Sequence, residues 1–238
     1  MITPSDPPSY VGYRFQAEII SYTVWLYFRF SLSYRDVEEL LATRGILLTY
    51  ETVRQWCRKF GQHYANQLRR RRPQTGDKWH LDEVFLTING KLHYLWRAVD
   101  PQGNVLDILV QSRRNKRAAK KFFRKLLKGC QYVPRVLITD KLASYGAAKK
   151  ELLPGVEHRQ HKRLNNRAVH SHQPSRQRER TMRGFKSGGH AQRFLAAHGP
   201  IREHFCPRRH RLRAKQYRAV MQERFAIWNT ITGVQSAS

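Results

Sequence analysis

The order of predicted elements places this chain in the α/β class, with a small all-helical domain ahead of a mixed five-stranded sheet with flanking helices. Three observations predict it. The spacing of apolar residues changes near Lys78 from the three-to-four repeat of helices to the two-residue repeat of strands. Asn89-Gly90 separates two strand-like runs and is a strong short-range hairpin signal. Val136-Leu-Ile-Thr139 is a short continuous apolar run between two helical stretches, the pattern of a buried parallel strand.

Residues 1–13, rich in Pro and Ser, read as a flexible N-terminal arm. Residues 14–68 read as a helix-turn-helix domain. Ile19, Ile20, Val24 and Phe28 share one face of a first helix. Ser33, with Asp36 three residues on, caps a second that carries Val37, Leu40 and Leu41 and ends near Gly45. Thr49 caps a third, in which Val53, Trp56, Cys57 and Phe60 recur at i, i+3, i+4 and i+7. That third helix turns Glu51, Arg54, Gln55, Arg58 and Lys59 outward. Arg and Gln make paired hydrogen bonds to guanine and adenine edges in the major groove, so Arg54, Gln55, Arg58 and Lys59 are candidate DNA-binding residues. Residues 69–77 follow as a basic linker, opened by the arginine run Arg69 to Arg72.

From Lys78 to Ile88 the chain predicts a strand, and Lys91–Val99 its hairpin partner. Asp100-Pro-Gln-Gly103 predicts a turn and Val105–Gln111 a third strand. A helix over about Lys116 to Lys128 turns Ala119, Phe122, Phe123 and Leu126 inward. The parallel-type strand Val136–Thr139, a helix over Leu142–Leu152 and a short strand over Val156–Gln160 complete the series. Three antiparallel strands, a helix, then alternating strands and helices is the order of a ribonuclease-H-like fold, assigned to residues 78–200. Residues 201–238 read as a basic helical C-terminal segment.

Lys and Arg number 45 against 17 Asp and Glu, a formal net charge of +28. Such an excess predicts salt-sensitive attraction to nucleic acid without saying what is done there. The three cysteines, Cys57, Cys130 and Cys206, form no C-x-x-C pair, which argues against a disulfide framework or a cysteine-rich zinc site. Cys206 and His210 are two ligands where a zinc site takes four. Ile19–Phe30 is too short to span a bilayer and includes Arg29. The N-terminus has no basic-then-apolar signal pattern. A cytoplasmic protein with no membrane contact is therefore expected.

Against this basic background two acids stand at costly places. Asp82 lies midway along the first predicted strand, and Asp140 follows the fourth at its carboxyl end, where open α/β sheets place their ligands. Those strands are neighbours in a ribonuclease-H-like sheet, so the two carboxylates come within reach of shared cations. Oxygen ligands suit Mg²⁺ or Mn²⁺, and two ions roughly 3.5–4 Å apart stabilise both the entering and the leaving oxygen of a phosphoryl displacement. The plainer alternative pairs Asp82 with an arginine and makes Asp140 a helix cap.

The chain resembles the bacterial insertion-sequence transposases of the IS-six family, DDE enzymes with a short N-terminal helix-turn-helix. The resemblance runs over nearly the whole length. It rests on Ser33-Tyr-Arg-Asp36, Trp79-His-Leu-Asp-Glu83, Tyr94-Leu-Trp-Arg-Ala-Val-Asp100, Ser112-Arg-Arg-Asn115, Thr139-Asp-Lys141, Val156-Glu-His-Arg-Gln160, Asn165-Asn166, His172-Gln-Pro174, Arg178-Glu-Arg180 and Phe185-Lys-Ser187. It implies a DDE (integrase-type) catalytic domain with Mg²⁺ or Mn²⁺, two ions in a complete site. It also implies double-stranded DNA as partner, both terminal inverted repeats and target, and a homo-oligomer that holds two ends together.

Carried over by motif, Asp82 and Asp140 match the first two catalytic acids and metal ligands. The third acid is expected as the glutamate of Asn-Asn-Arg-Ala-Glu-Asn-Ser-His, and this chain reads Asn165-Asn-Arg-Ala-Val-His-Ser-His172. The matching position is Val169, which offers no ligand atom. Neither Glu157, Glu179 nor the neighbouring His170 falls where that glutamate is needed. The expectation is a transposase with impaired cleavage and strand transfer, or alternatively an inactive DNA-binding remnant that occupies element ends. Around this site Lys162, Arg163, Arg167, Arg176, Arg178, Arg180, Arg183 and Lys186 are expected to track phosphates. Phe194, Phe205, Tyr217, Phe225 and Trp228 read as core or dimer contacts.

Overall fold

The computed structural model describes residues 6–72, 76–160, 165, 168, 171–207 and 209–234. The chain forms two compact units, one from residues 1–72 with 197–238 and one from residues 73–196.

In the first unit, α1 (Ala17–Arg29), α2 (Tyr34–Ala42) and α3 (Tyr50–Arg70) pack on their apolar stripes. Val37 and Leu41 of α2 and Val53, Trp56, Cys57 and Phe60 of α3 are buried. Both caps have a chemical cause. Ser33 Oγ accepts from Asp36 N at 3.1 Å while Asp36 Oδ2 accepts from Ser33 N at 2.8 Å, a reciprocal capping box. Thr49 Oγ1 accepts from Thr52 N at 3.3 Å at the head of α3. A Cβ at Gly61 would stand 2.5 Å from the Phe28 ring, so a glycine lets α3 approach α1.

The segment expected as an arm is tied to α3 from residue 6 on. Tyr10 hydroxyl lies 2.6 Å from Tyr64 hydroxyl and donates to Thr232 carbonyl at 2.7 Å, and Asp6 carbonyl accepts from Gln67 Nε2 at 3.1 Å. Residues beyond 197 belong to this unit as well. Trp228, on the helix Ala214–Thr232, meets the Tyr64 ring edge-on at 5.1 Å, and Phe205 and Trp228 are both buried.

The second unit is built on one sheet. Its strands are β1 (Lys78–Ile88), β2 (Lys91–Val99), β3 (Val105–Gln111), β4 (Val136–Thr139) and β5 (Glu157–Gln160), in spatial order β3-β2-β1-β4-β5. β1, β2 and β3 are antiparallel, and β4 and β5 run parallel to β1. This mixed five-stranded sheet with flanking helices is the ribonuclease-H-like arrangement. The β1–β2 turn takes positive φ at both Asn89 (50°) and Gly90 (72°), as a two-residue hairpin turn requires. In the next turn the buried Asp100 accepts from Gln102 N, Asn104 N and Asn104 Nδ2 at 2.7–2.8 Å.

The helices α4 (Lys116–Cys130) and α5 (Ala143–Leu152) cover one face. There Trp79, Leu81, Trp96, Phe122, Phe123, Leu126, Leu137 and Tyr145 form the core. Full burial of each large apolar side chain contributes roughly 1.5–3 kcal/mol. The helix α6 (Gln173–Thr181) is reached from the opposite face through Arg97 of β2, and α7 (Gly188–His204) and α8 (Ala214–Thr232) complete the chain. No helix among the described residues is long and apolar enough to cross a membrane.

Candidate active site

The site forms where β4 stops. Parallel pairing of β1 with β4 ends at His80↔Ile138, so the next stretch of β1 has no strand on that side among the described residues. Asn165 Nδ2 takes the freed carbonyl of Leu81 at 2.7 Å. Asp82 follows Leu81, and Asp140 follows the last residue of β4. The sheet order thus brings both predicted acids to one opening at the carboxyl end of β4.

Carboxylate oxygens of Asp82, Glu83 and Asp140 all lie within 4.8 Å of one another. Strand alternation sends the first two to different faces. Asp82 stands opposite Arg97 of β2, and Arg97 reaches across to the Ser171 carbonyl and to Ser175 Oγ at 2.5 Å. His172 Nε2 lies 3.5 Å from Asp82 Oδ2, with neither ring nitrogen hydrogen-bonded among the described residues. Glu83 stands opposite Trp96 and shares the core face with Tyr145. Arg114 Nε donates to Glu83 Oε1 at 2.7 Å, and Arg114 Nη2 stands 3.8 Å from Asp140 Oδ2. The adjacent Asn115 caps α4 by accepting from Ala118 N at 3.0 Å, which sets where Arg114 leaves the backbone.

The electrostatics follow from crowding acids in a half-dry place. Burial, then the charges of Glu83 and Asp140, pushes the Asp82 carboxyl up to about 7. Burial raises Glu83 as well, against the nearby Tyr145 hydroxyl and Arg114. His172 is held well below the ordinary histidine range by burial and then by the charges of Arg97 and Arg176, so it stays neutral.

The donor set fits a hard divalent cation. It is all carboxylate oxygen, and Glu83 Oε2 is buried without a hydrogen-bond partner among the described residues. Asp82 and Asp140 are the candidates that sequence reasoning named. The sequence alone does not single out Glu83, nor does it give Asn165, His172 or Arg114 a part in supporting the site. The signal for Glu83 was its adjacency to Asp82 at the level where β4 ends.

Val169, expected at the third-acid position, lies outside the described residues, as do His170, Lys162, Arg163 and Arg167. Glu157 is exposed on β5 and paired with Arg159 at 2.6 Å. Glu179 is partly buried on α6. Of the described basic row, Arg176, Arg180 and Lys186 are exposed. Arg178 is not, and its guanidinium stacks over the Phe194 ring at 5.6 Å in the interior. It therefore cannot track phosphates from that position. Cys206 and His210 join no group of three metal-ligand residues among those described.

On α3, Arg54, Gln55, Arg58 and Lys59 are all exposed on the face opposite the buried stripe. Glu51 holds two of them, accepting from Arg54 at 2.6 and 2.8 Å and from Gln55 at 3.3 Å.

A family model described as a DDE domain matches residues 76–207. The transposase for insertion sequence-like element IS431mec of Staphylococcus aureus is 31% identical over 171 residues, covering 69% of this chain and 75% of that protein. The transposase for insertion sequence element IS257 in transposon Tn4003, also from Staphylococcus aureus, is similar to the same extent. A chain in a cryo-EM structure of a simian T-cell lymphotropic virus intasome with PP2A regulatory subunit B56 gamma shares 14% identity. Its TM-score is 0.35, over 59% of this chain and 53% of that one, too slight a likeness to bear on function.

Proposed function

This chain belongs to the insertion-sequence transposases that carry a DDE domain, and from that premise we propose that it binds the terminal inverted repeats of its element and performs divalent-metal-dependent cleavage and strand transfer at Asp82 and Asp140. One observation carries the reading. The two acids reach a single opening from neighbouring parallel strands, and their oxygens, with those of Glu83, lie within 4.8 Å.

A divalent cation held there supplies the charge that stabilises the entering and leaving oxygens of an in-line phosphoryl displacement. The chain's own residues bind and orient. Asp82 and Asp140 provide the oxygen ligands, and Asn165 fixes the strand backbone beside Asp82. Arg114 keeps a positive charge between Glu83 and Asp140. Arg54, Gln55, Arg58 and Lys59 of α3 meet base edges in the major groove, and Arg176 meets phosphate. Water attacks a phosphodiester at the element end and breaks its P–O3′ bond, and the freed 3′ hydroxyl then attacks a phosphodiester of target DNA, forming a new P–O bond and displacing a 3′ hydroxyl of the target strand. Two ends are held by a homo-oligomer.

Val169 favours a second reading beside the first. With no ligand atom at the third-acid position, transfer is slow, and in the limit the protein occupies element ends without joining them.

The test is strand transfer on terminal-repeat DNA in Mg²⁺, with binding followed separately by gel shift. Asp82→Asn is expected to lower transfer on the order of a hundredfold or more while leaving binding intact. Transfer by this variant at the parent rate would sink the assignment. A parent protein that binds repeats and never transfers belongs to the second reading.

A further inference from the structure

We propose that Glu83 is itself a ligand of the cation site, making an Asp82–Glu83–Asp140 centre in a chain whose third-acid position, Val169, carries no ligand atom. The inference rests on the reading of Asp82 and Asp140 as metal ligands and adds a residue to it.

Consecutive residues of a strand do not ordinarily share a ligand, because their side chains leave opposite faces. Here the strand is open on one side. β1 loses β4 after His80, and Asp140 stands just past the end of β4. Asp82 from one face and Glu83 from the other can therefore both turn to the same gap, and the oxygens of all three acids lie within 4.8 Å of one another. Oxygens on one Mg²⁺ at about 2.1 Å are roughly 3–4.2 Å apart, so closing the set takes small side-chain shifts.

The Glu83 side chain is only 1% accessible, and its Oε2 is buried with no hydrogen-bond partner among the described residues. Such an atom in an anionic group calls for a cation or a donor. Arg114 meets part of that demand by donating to Oε1 at 2.7 Å while standing 3.8 Å from Asp140. One guanidinium thus serves two of the three acids. On the far side of Asp82, the buried His172 stands 3.5 Å from Asp82 Oδ2, with neither ring nitrogen hydrogen-bonded among the described residues. The Tyr145 hydroxyl is a neutral neighbour of Glu83 and Arg114 is bonded to Oε1, so no cationic group among the described residues is bonded to Oε2.

The experiment titrates the full chain with Mn²⁺ alone and reads free Mn²⁺ by electron paramagnetic resonance, so that it does not depend on activity. Glu83→Gln, which keeps an oxygen for Arg114, is expected to weaken Mn²⁺ binding about tenfold or more, as Asp82→Asn does. Binding within twofold of the parent for Glu83→Gln, with binding lost for Asp82→Asn, would make Glu83 only the partner of Arg114. If Asp82→Asn is equally silent, the reading of the whole metal site fails and takes this inference with it. Should Glu83→Gln fail to fold, Arg114→Gln is compared with Glu83→Gln/Arg114→Gln, which leaves no unpaired buried charge. The same tenfold loss between those two is expected, and equal affinity overturns the proposal.

Discussion

The side-chain amide of Asn165 donates to the carbonyl oxygen of Leu81 at 2.7 Å, one residue ahead of Asp82. Asn165 is 1% exposed, so the bond replaces water at a place where β4 has ended and no strand among the described residues supplies a donor. Asn165→Leu keeps the branching of the side chain and removes the donor. A buried carbonyl left unsatisfied costs about 1–3 kcal/mol, and the urea midpoint is expected to fall accordingly. The freed strand also lets Asp82 move, so Mn²⁺ affinity should drop about tenfold. An unchanged midpoint and unchanged affinity would show that Asn165 supports neither.

His204 makes the first unit sensitive to acid. Its Nε2 lies 2.8 Å from the Arg224 carbonyl, and Arg224 Nη1 donates to the His204 carbonyl at 2.5 Å. Burial, opposed by that carbonyl contact and aided by the charges of Arg224 and Arg72, pushes the imidazole down to about 4 from 6.5. Between those values the unfolded chain binds the proton and the folded one does not. Stability therefore rises with pH through this window, and is lost on acidification from about 6.5 to about 4. The loss through this residue amounts to at most roughly 3 kcal/mol. His204→Gln should flatten the stability profile between pH 7 and 4 in chemical denaturation. Identical slopes for parent and variant would remove His204 as the cause.

Arg54 is held as a fork on Glu51, one turn back on α3, by bonds of 2.6 and 2.8 Å. An arginine so ordered presents its remaining edge in a fixed orientation, which suits base reading better than a mobile phosphate contact does. Arg54→Ala is expected to cut the preference for element ends over random DNA on the order of tenfold, while random binding falls little. Competition binding on both DNAs measures this. Equal losses on the two would reduce Arg54 to a phosphate contact.

Period and turn chemistry carry most of this fold. Asn89-Gly90 predicts its hairpin because the turn needs positive φ twice, and β4 begins and ends where the apolar run does. The meeting of Asp82 with Asp140 follows from sheet order alone. Glu83 is different. Alternation assigns it to the core face with Trp96 and Tyr145, and only the early stop of β4 lets it share an opening with Asp82. Charge counting puts Arg178 in a phosphate-tracking row, yet it lies against Phe194, because a tally of arginines does not say which face of α6 is buried. The Pro- and Ser-rich start reads as loose by composition, whereas Tyr10 bonds to Tyr64 and Thr232, contacts too far away in the chain for any local pattern to show.

On the proposed reading Val169 bears on activity through its chemistry, since an isopropyl group cannot ligate a cation or take a proton. Val169→Glu supplies the carboxylate that the resemblance leads one to expect at this position. It is expected to raise Mg²⁺-dependent strand transfer at least about tenfold over the parent, by holding the charge that both oxygens of the displacement need. Parent protein that already transfers as fast would sink the link between Val169 and impairment. The same variant separates the two carboxylates that compete for the third place. If Glu83 binds the cation only because residue 169 cannot, Glu83→Gln should weaken Mn²⁺ binding in the parent background and do so far less beside Val169→Glu. Equal losses in both backgrounds would mean that Glu83 holds a cation in its own right, whichever residue stands at 169.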